Sequence, residues 1–267
     1  MKYHEFQLDP LLTDYIQSIW GLESESENDE YPRSLIMPDG IVEIIFHYQN
    51  PFYTWQDSKQ FLQPECFAIS MMQKFVEIAS NGKAGFVSVR FYPWGAYHFF
   101  DKPIQHFLDQ TIEAGKLWGN DAEKIIDKIK NKKAIHERFE IIQQFLLDKL
   151  DQFSKADTNT DNAVKLIRET KGMLSIEAIC DRTGFSKKQL ERKFLSTVGT
   201  TPKLFSRITR FLNICQNLEE QKDKTLTQLT HECGFYDQAH FIKEFKAFSG
   251  FTPKEFYDKE NIYFSEI

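Results

Sequence analysis

The 267-residue sequence predicts an α+β protein in two parts. The first is an N-terminal β-barrel or sandwich with accessory helices, and the second is a C-terminal all-α domain built on a repeated helical unit. Three features carry this expectation. Residues 35–100 are dense in aromatic and β-branched residues interrupted by Pro and Gly, the composition of short strands. Beyond residue 161 the alternation disappears and helix-start signals recur. Finally, residues 183–205 and 233–256 repeat one another.

Composition sets the class. Hydrophobic residues make up 41% and charged residues 27%, enough for two cores in an ordinary soluble chain. There is no run of 18 apolar residues and no apolar leader in MKYHEFQLDP, so a cytoplasmic protein without membrane contact is expected. Cys66, Cys180, Cys215 and Cys233 form no CxxC pair, which argues against zinc or a disulfide framework and for small buried side chains in a reducing compartment. Charge is uneven. Residues 1–161 hold 16 Lys and Arg against 25 Asp and Glu, a net of -9, whereas residues 162–258 hold 16 against 12, a net of +4. A basic second part suits a phosphate backbone.

The elements follow in order. Residues 35–48, 66–72, 75–80 and 84–100 are the strand candidates of a β-rich domain over 1–150. Phe86, Val87, Val89 and Phe91, with Ser88 and Arg90 between them, alternate in part. Residues 121–150 read as helical, because Ile135, Phe139, Ile142, Leu146 and Leu150 fall on one helix face. That stripe either packs on its own domain or forms the seam of a homodimer. The polar run 151–161 (DQFSKADTNTD) reads as a linker, 162–258 as the second domain and 259–267 as a tail.

The repeat is specific. Gly184 and Phe185 match Gly234 and Phe235 at an offset of 50, whereas Leu190, Phe194, Gly199, Pro202 and Phe205 match Phe241, Phe245, Gly250, Pro253 and Phe256 at 51. One residue is therefore inserted in the second copy. In the first copy, Ser175 caps a short helix, with Ile176 and Ile179 facing inward. Gly184 makes the left-handed turn that ends it, and Phe185 plugs the corner. Ser186 and Gln189 then form a capping box ahead of the Leu190–Phe194 stripe, and Thr201-Pro202 opens a further helix. The second copy repeats this with Thr225 and Gln228, Leu226 and Leu229, Gly234, Phe235, Asp237, Phe241 and Phe245, then Thr252-Pro253 with Glu255. Helix, tight turn, helix is the helix-turn-helix, so the second domain carries two such units. The second helix of each unit fits a major groove about 12 Å wide. Lys187, Lys188, Glu191 and Arg192 lie opposite the first apolar stripe, and Gln238, Lys243 and Lys246 lie opposite the second. A long helix from Pro202 to about residue 220 would space the units, and adjacent groove entries lie about 34 Å apart.

On these residues, 162–258 resembles the DNA-binding domain of the AraC/XylS family of bacterial transcription regulators, through GFS…L.R.F…G.TP and GF.DQ.HF…FK…G.TP. The resemblance implies base contacts by Lys188, Glu191 and Arg192 in the first unit, and by Gln238, Ala239, Ile242 and Lys243 in the second. Ser186 and Lys187 at the helix start complete the expected DNA surface. Family members often carry polar residues where this chain has Ala239 and Ile242, so the resemblance implies either a narrower base reading by that unit or contact with thymine methyls. The first part resembles an uncharacterised N-terminal domain of some AraC-type regulators through MPDGIVEIIF (37–46), VRFYPWGAYHFF (89–100) and LWG (117–119). Cupin-like barrels are the usual sensors of the family, so this part is expected to bind an effector, to dimerise, or both.

The remaining motifs add no chemistry. His47, His98 and His106 are too spread for a metal pair. His231-Glu232 starts like HExxH, but Phe235 stands where the second His belongs. His240 suits phosphate contact or local packing equally. There is no GxSxG, P-loop or GxGxxG, and Cys66 has no basic neighbour to activate it, so no enzyme, metal or cofactor is expected. Asp39-Gly40 reads as a turn. Trp55, Phe91, Trp94, Tyr97 and His98 read either as a packed wall or as an apolar effector pocket. The expected protein is a DNA-binding transcription regulator. Its partners are double-stranded DNA, a small-molecule effector of the first domain, RNA polymerase and a second copy of itself; the alternative is a constitutive DNA binder whose first domain only dimerises.

Overall fold

The computed structural model describes residues 1–27, 29–56, 59–80, 82–107, 110–153, 158–220, 224–259 and 261–263. Ten strands follow one another through the first part: β1 (Lys2–Phe6), β2 (Ile16–Glu23), β3 (Ser34–Ile36), β4 (Val42–His47), β5 (Tyr53–Gln56), β6 (Lys59–Leu62), β7 (Cys66–Ile69), β8 (Val76–Ala79), β9 (Gly85–Phe91) and β10 (Thr111–Glu113). They form two sheets. One has six strands in the order β1-β2-β9-β4-β7-β10, all pairs antiparallel. The other holds β3, β8, β5 and β6, joined at its β3 edge by β11 (Ile262–Tyr263), which runs parallel to β3. The result is a sandwich, with no closed barrel among the described residues.

Alternation explains the layering. Val42, Ile44 and Phe46 of β4 and Val87, Val89 and Phe91 of β9 share one face and sit in the largest core, under the helices. On the opposite face Ile45 and Phe86 meet Phe52 and Ile78 between the sheets. Because β9 is covered on both faces, its sequence alternates only in part.

Three helices cover the six-stranded sheet: α1 (Ala114–Trp118), α2 (Asn120–Lys130) and α3 (Ile135–Phe153). The LWG motif closes α1: Trp118 stacks on Phe100 at 5.5 Å and Gly119 turns the chain into α2 at φ 55°. Arg138 holds the α2–α3 corner by donating to the carbonyls of Ile129, Lys132 and Lys133, with its guanidinium 3.7 Å from the centre of the Tyr48 ring. Ile135, Phe139, Ile142 and Leu146 are buried in the first core, and Leu150 packs against it. The stripe therefore faces its own sheet and is not available as a dimer seam.

The second part is helical: α4 (Thr158–Glu169), α5 (Ile176–Thr183), α6 (Lys187–Thr197), α7 (Pro202–Glu220), α8 (Leu226–Glu232), α9 (Gln238–Ser249) and α10 (Pro253–Tyr257). The run 151–161 is helical at both ends, since α3 continues to Phe153 and α4 begins before residue 161; residues 154–157 lie outside the described residues. Burial overrides local polarity here, because Phe153 packs on the first core and Thr160 is buried. Within 259–267, Ile262 and Tyr263 are strand, so this stretch is docked on the sandwich over those residues.

The two parts share their cores. Met37 is buried among Ile208, Phe211 and Phe245. Met71 and Trp94 are buried with Val164, Phe194 and Phe205. Phe75 faces Phe251 at 5.5 Å and donates its backbone N–H to the Phe248 carbonyl at 3.2 Å.

Candidate nucleic-acid interface

Each unit is built by short-range rules. Ser175 caps α5 by accepting from the Ala178 N–H at 3.2 Å, and Gly184 ends that helix in the left-handed conformation at φ 74°. Ser186 and Gln189 form a reciprocal capping box at the start of α6. In the second unit Thr225 and Gln228 do the same for α8. Gly234 takes φ 73°, and Asp237 caps α9 through the His240 N–H at 2.8 Å. Thr252 and Glu255 box α10. The apolar stripes Leu190–Phe194 and Phe241–Phe245 are buried. The corner aromatics differ: Phe235 is buried, whereas Phe185 is only half-buried, against the expectation that both plug their turns equally.

Those stripes turn the opposite faces of α6 and α9 outward. Ser186, Lys187, Lys188, Glu191 and Arg192 are all exposed on the first half of α6. Its second half passes under the first domain, where Ile104 lies against Gly199. Lys187 pairs with Glu177 of α5, which raises the lysine's pKa and lowers the glutamate's. On α9, Gln238, Ala239 and Lys243 are exposed and Ile242 is half-buried. The Gln238 amide donates to the Thr227 hydroxyl on α8, so one of its donors is engaged within the unit. His240 is exposed, with its ring 5.3 Å from that of Phe235. Sequence reasoning passed over Tyr236. It is 92% exposed at the turn before α9, and it is the inserted residue that changes the repeat offset from 50 to 51.

Connecting helix α7 packs against both α6 and α9. Phe205 meets Phe194 of α6 with ring centres 6.0 Å apart. Two turns on, Phe211 meets Phe245 of α9 at 5.3 Å, and Arg207 binds Glu244 of α9 through two bonds of 2.7 and 2.9 Å.

The five aromatic candidates of the first domain do not converge. Trp55 lies on β5 under the Arg33 guanidinium at 4.6 Å. Phe91 is fully buried against Phe99 at 4.9 Å. His98 is buried beside Tyr15, and Tyr97 packs on the same core. Trp94 stacks flat on Tyr92 at 4.7 Å and donates to the Asp14 carbonyl at 2.9 Å. Trp94 lines an open cleft of about 460 Å³ between the domains, shared with Asp14, Lys165 and Arg168. Cys66 is buried, which pushes its thiol pKa well up, and among the described residues no three metal-ligating side chains cluster. No helix of the described residues is long and apolar enough to cross a membrane.

Comparison with known proteins bears on both parts. Residues 179–259 match a helix-turn-helix domain, covering α6 to α10 and the end of α5. The probable transcription factor PqrA of Proteus vulgaris is 32% identical over 83 residues, 31% of this chain and 67% of that protein. The chain belongs to the AraC/XylS family of transcription regulators. Other members of this AraC-type group are similar over less of their length. The transcriptional activator RhaS of Escherichia fergusonii is 32% identical over 82 residues, 31% of this chain and 29% of its own. An HTH-type regulator of Haemophilus influenzae is 22% identical over 157 residues, 58% of this chain and 52% of its own. Residues 4–113 match a domain of unknown function, DUF6597. ToxT from Vibrio cholerae, as solved, aligns over 97% of this chain and 98% of its own, with 11% identity and a TM-score of 0.47. Residues 179–259 thus form a helix-turn-helix domain of the AraC type, the chain spans about half or less of the length of the first relatives it matches, and those relatives are named as transcription regulators.

Proposed function

We propose that this regulator reads a specific duplex sequence through α6 and α9, and that a small molecule held by the first domain adjusts the reading. The observation that carries the first half is the exposure of Lys188, Glu191, Arg192, Gln238, Ala239 and Lys243 on helices whose other faces are buried. Arg192 and Lys188 suit guanine and Glu191 suits the cytosine amine. Gln238 suits adenine, Ala239 suits a thymine methyl, and Ile242 adds an apolar edge. Ser186, Lys187 and Lys243 suit phosphates. Selection of bound duplexes from a random pool, at stated salt because phosphate contacts are salt-sensitive, tests this. Enrichment of one sequence with two half-elements about one helical turn apart is expected. Uniform recovery would refute sequence reading.

The second half is supported by first-domain residues that enter the helical cores, so a change in the sandwich is felt at α7. A thermal-shift screen should yield a compound that also changes DNA affinity. A constitutive binder is the alternative, favoured by the burial of Phe91 and His98, which removes two of the five residues expected to line a pocket. Contact with RNA polymerase and pairing of two copies on paired half-sites belong to the same proposal. Sedimentation of the chain with its selected duplex reads the second directly.

A further inference from the structure

The MPDG stretch, with Asp39-Gly40 at its turn, lies against helix α7. Met37 is buried in the same apolar cluster as Ile208 and Phe211 of α7. Gly40, at φ +73°, lies so close to that helix that a Cβ there would stand 3.3 Å from Ile208 Cγ2 and from Phe205 Cε2. The stretch thus presses on residues 205–211 of α7, the same two turns that carry Phe205 against α6 and Arg207 and Phe211 against α9.

Two fastenings hold it there. On one side, Asp39 accepts a 2.6 Å bond from the Arg90 guanidinium of β9 and also caps the Ile41 N–H at 3.3 Å. On the other, the backbone of Leu35 donates to Asn261 and that of Met37 to Tyr263, each at 2.9 Å, so β11 clasps the edge of β3. The Tyr31 and Tyr263 rings lie 6.1 Å apart over this edge.

We infer that residues 34–41 are the coupling element of the molecule: a keystone that fixes the section of α7 on which both recognition helices are mounted, and so sets how the two are presented to DNA. Asp39 is its positioning residue, acting through the loop and touching no ligand. Both recognition faces are open in the fastened arrangement, so fastening presents them rather than hides them. Preorganised presentation strengthens binding, and loosening it weakens binding. The affinity part of the inference rests on the DNA-reading proposal above.

The test uses the full chain, Asp39→Asn, and a form lacking residues 261–267. Affinity for a selected duplex is read by fluorescence anisotropy at fixed salt, and amide hydrogen exchange of α7 is read without DNA. Each variant should keep the parent circular-dichroism spectrum, exchange faster across residues 205–212, and bind DNA at least about fivefold more weakly, the lower end of ordinary coupling between sites. By the same reciprocity, DNA should slow exchange over residues 34–41 of the parent chain. Unchanged α7 exchange in both variants overturns the coupling element, and tighter DNA binding overturns the presenting role. If the parent chain captures no duplex, the DNA-reading proposal falls, while α7 exchange still decides the keystone. If Asp39→Asn fails to fold, the shortened chain decides alone.

Discussion

Arg192 stands on the outer face of α6 with no acidic partner among the described ion pairs, while its neighbour Lys187 is already tied to Glu177. Arg192, like Lys188, is therefore exposed and outside the described ion pairs, open to a base edge. Arg192→Ala should cost about 1–3 kcal/mol at the selected site and relax preference at one base pair, measured by competition with single-base variants. The two corner aromatics separate in the same way. Phe235 is buried with Phe241 at 5.4 Å and Arg210 over its ring at 5.2 Å, whereas Phe185 is half open. Phe235→Ala should destabilise the chain by about 3–5 kcal/mol and Phe185→Ala by roughly half as much, measured by denaturant unfolding. Equal losses would contradict the asymmetry.

At the scale of elements, α3 is the instructive case. Its apolar spacing fits a seam between copies as well as a contact with its own sheet, and nothing local distinguishes the two. The stacked rings of Phe6 and Phe139, 5.0 Å apart, settle the matter in favour of the sheet. Ile142→Asp should consequently unfold the first domain rather than release a soluble monomer. Circular dichroism should show lost structure, and a well-folded variant of smaller size on gel filtration would contradict the packing. The helical units were legible because caps and turns act over a few residues: Ser186 with Gln189, Gly184, and Thr252 with Glu255 all stand where their chemistry places them. The sandwich was legible only as strands, since pairing β2 with β9 or β4 with β7 depends on partners far along the chain. Strand β11 was not legible at all, because two residues carry no period and their strand character comes from the β3 edge. The spread of the aromatic candidates was not legible for a related reason. Trp55 and Phe91 are alike in composition, yet they belong to different sheets.

For the whole molecule, two buried titratable groups oppose each other. Burial among Phe52, Phe67 and Phe86 lowers the pKa of His47 from 6.5 to about 4, against a bond to Gln63 that favours the charged ring. His47 therefore contributes stability that is present above pH 6.5 and lost as pH falls through about 4. Burial raises Asp39 from 3.8 to about 6 in spite of Arg90. Its contribution is present below pH 3.8 and lost as pH rises through about 6. The two dependences run in opposite directions between pH 4 and 6. His47→Gln should remove the first term, leaving a chain whose unfolding free energy falls with rising pH across that window. Urea titrations at several pH values would read this, and parallel pH profiles for variant and parent would refute it.

The methionine at position 37 has a practical consequence for anyone splicing regulators. A hybrid cut between α3 and α4 and given a foreign first domain would leave an unfilled socket among Ile208, Phe211 and Phe245. Such a chimera would misbehave for want of one borrowed side chain, even with the exposed faces of α6 and α9 untouched. Transplanting residues 34–41 and Phe75 together with the helical half is the graft that respects how the two halves have grown into each other.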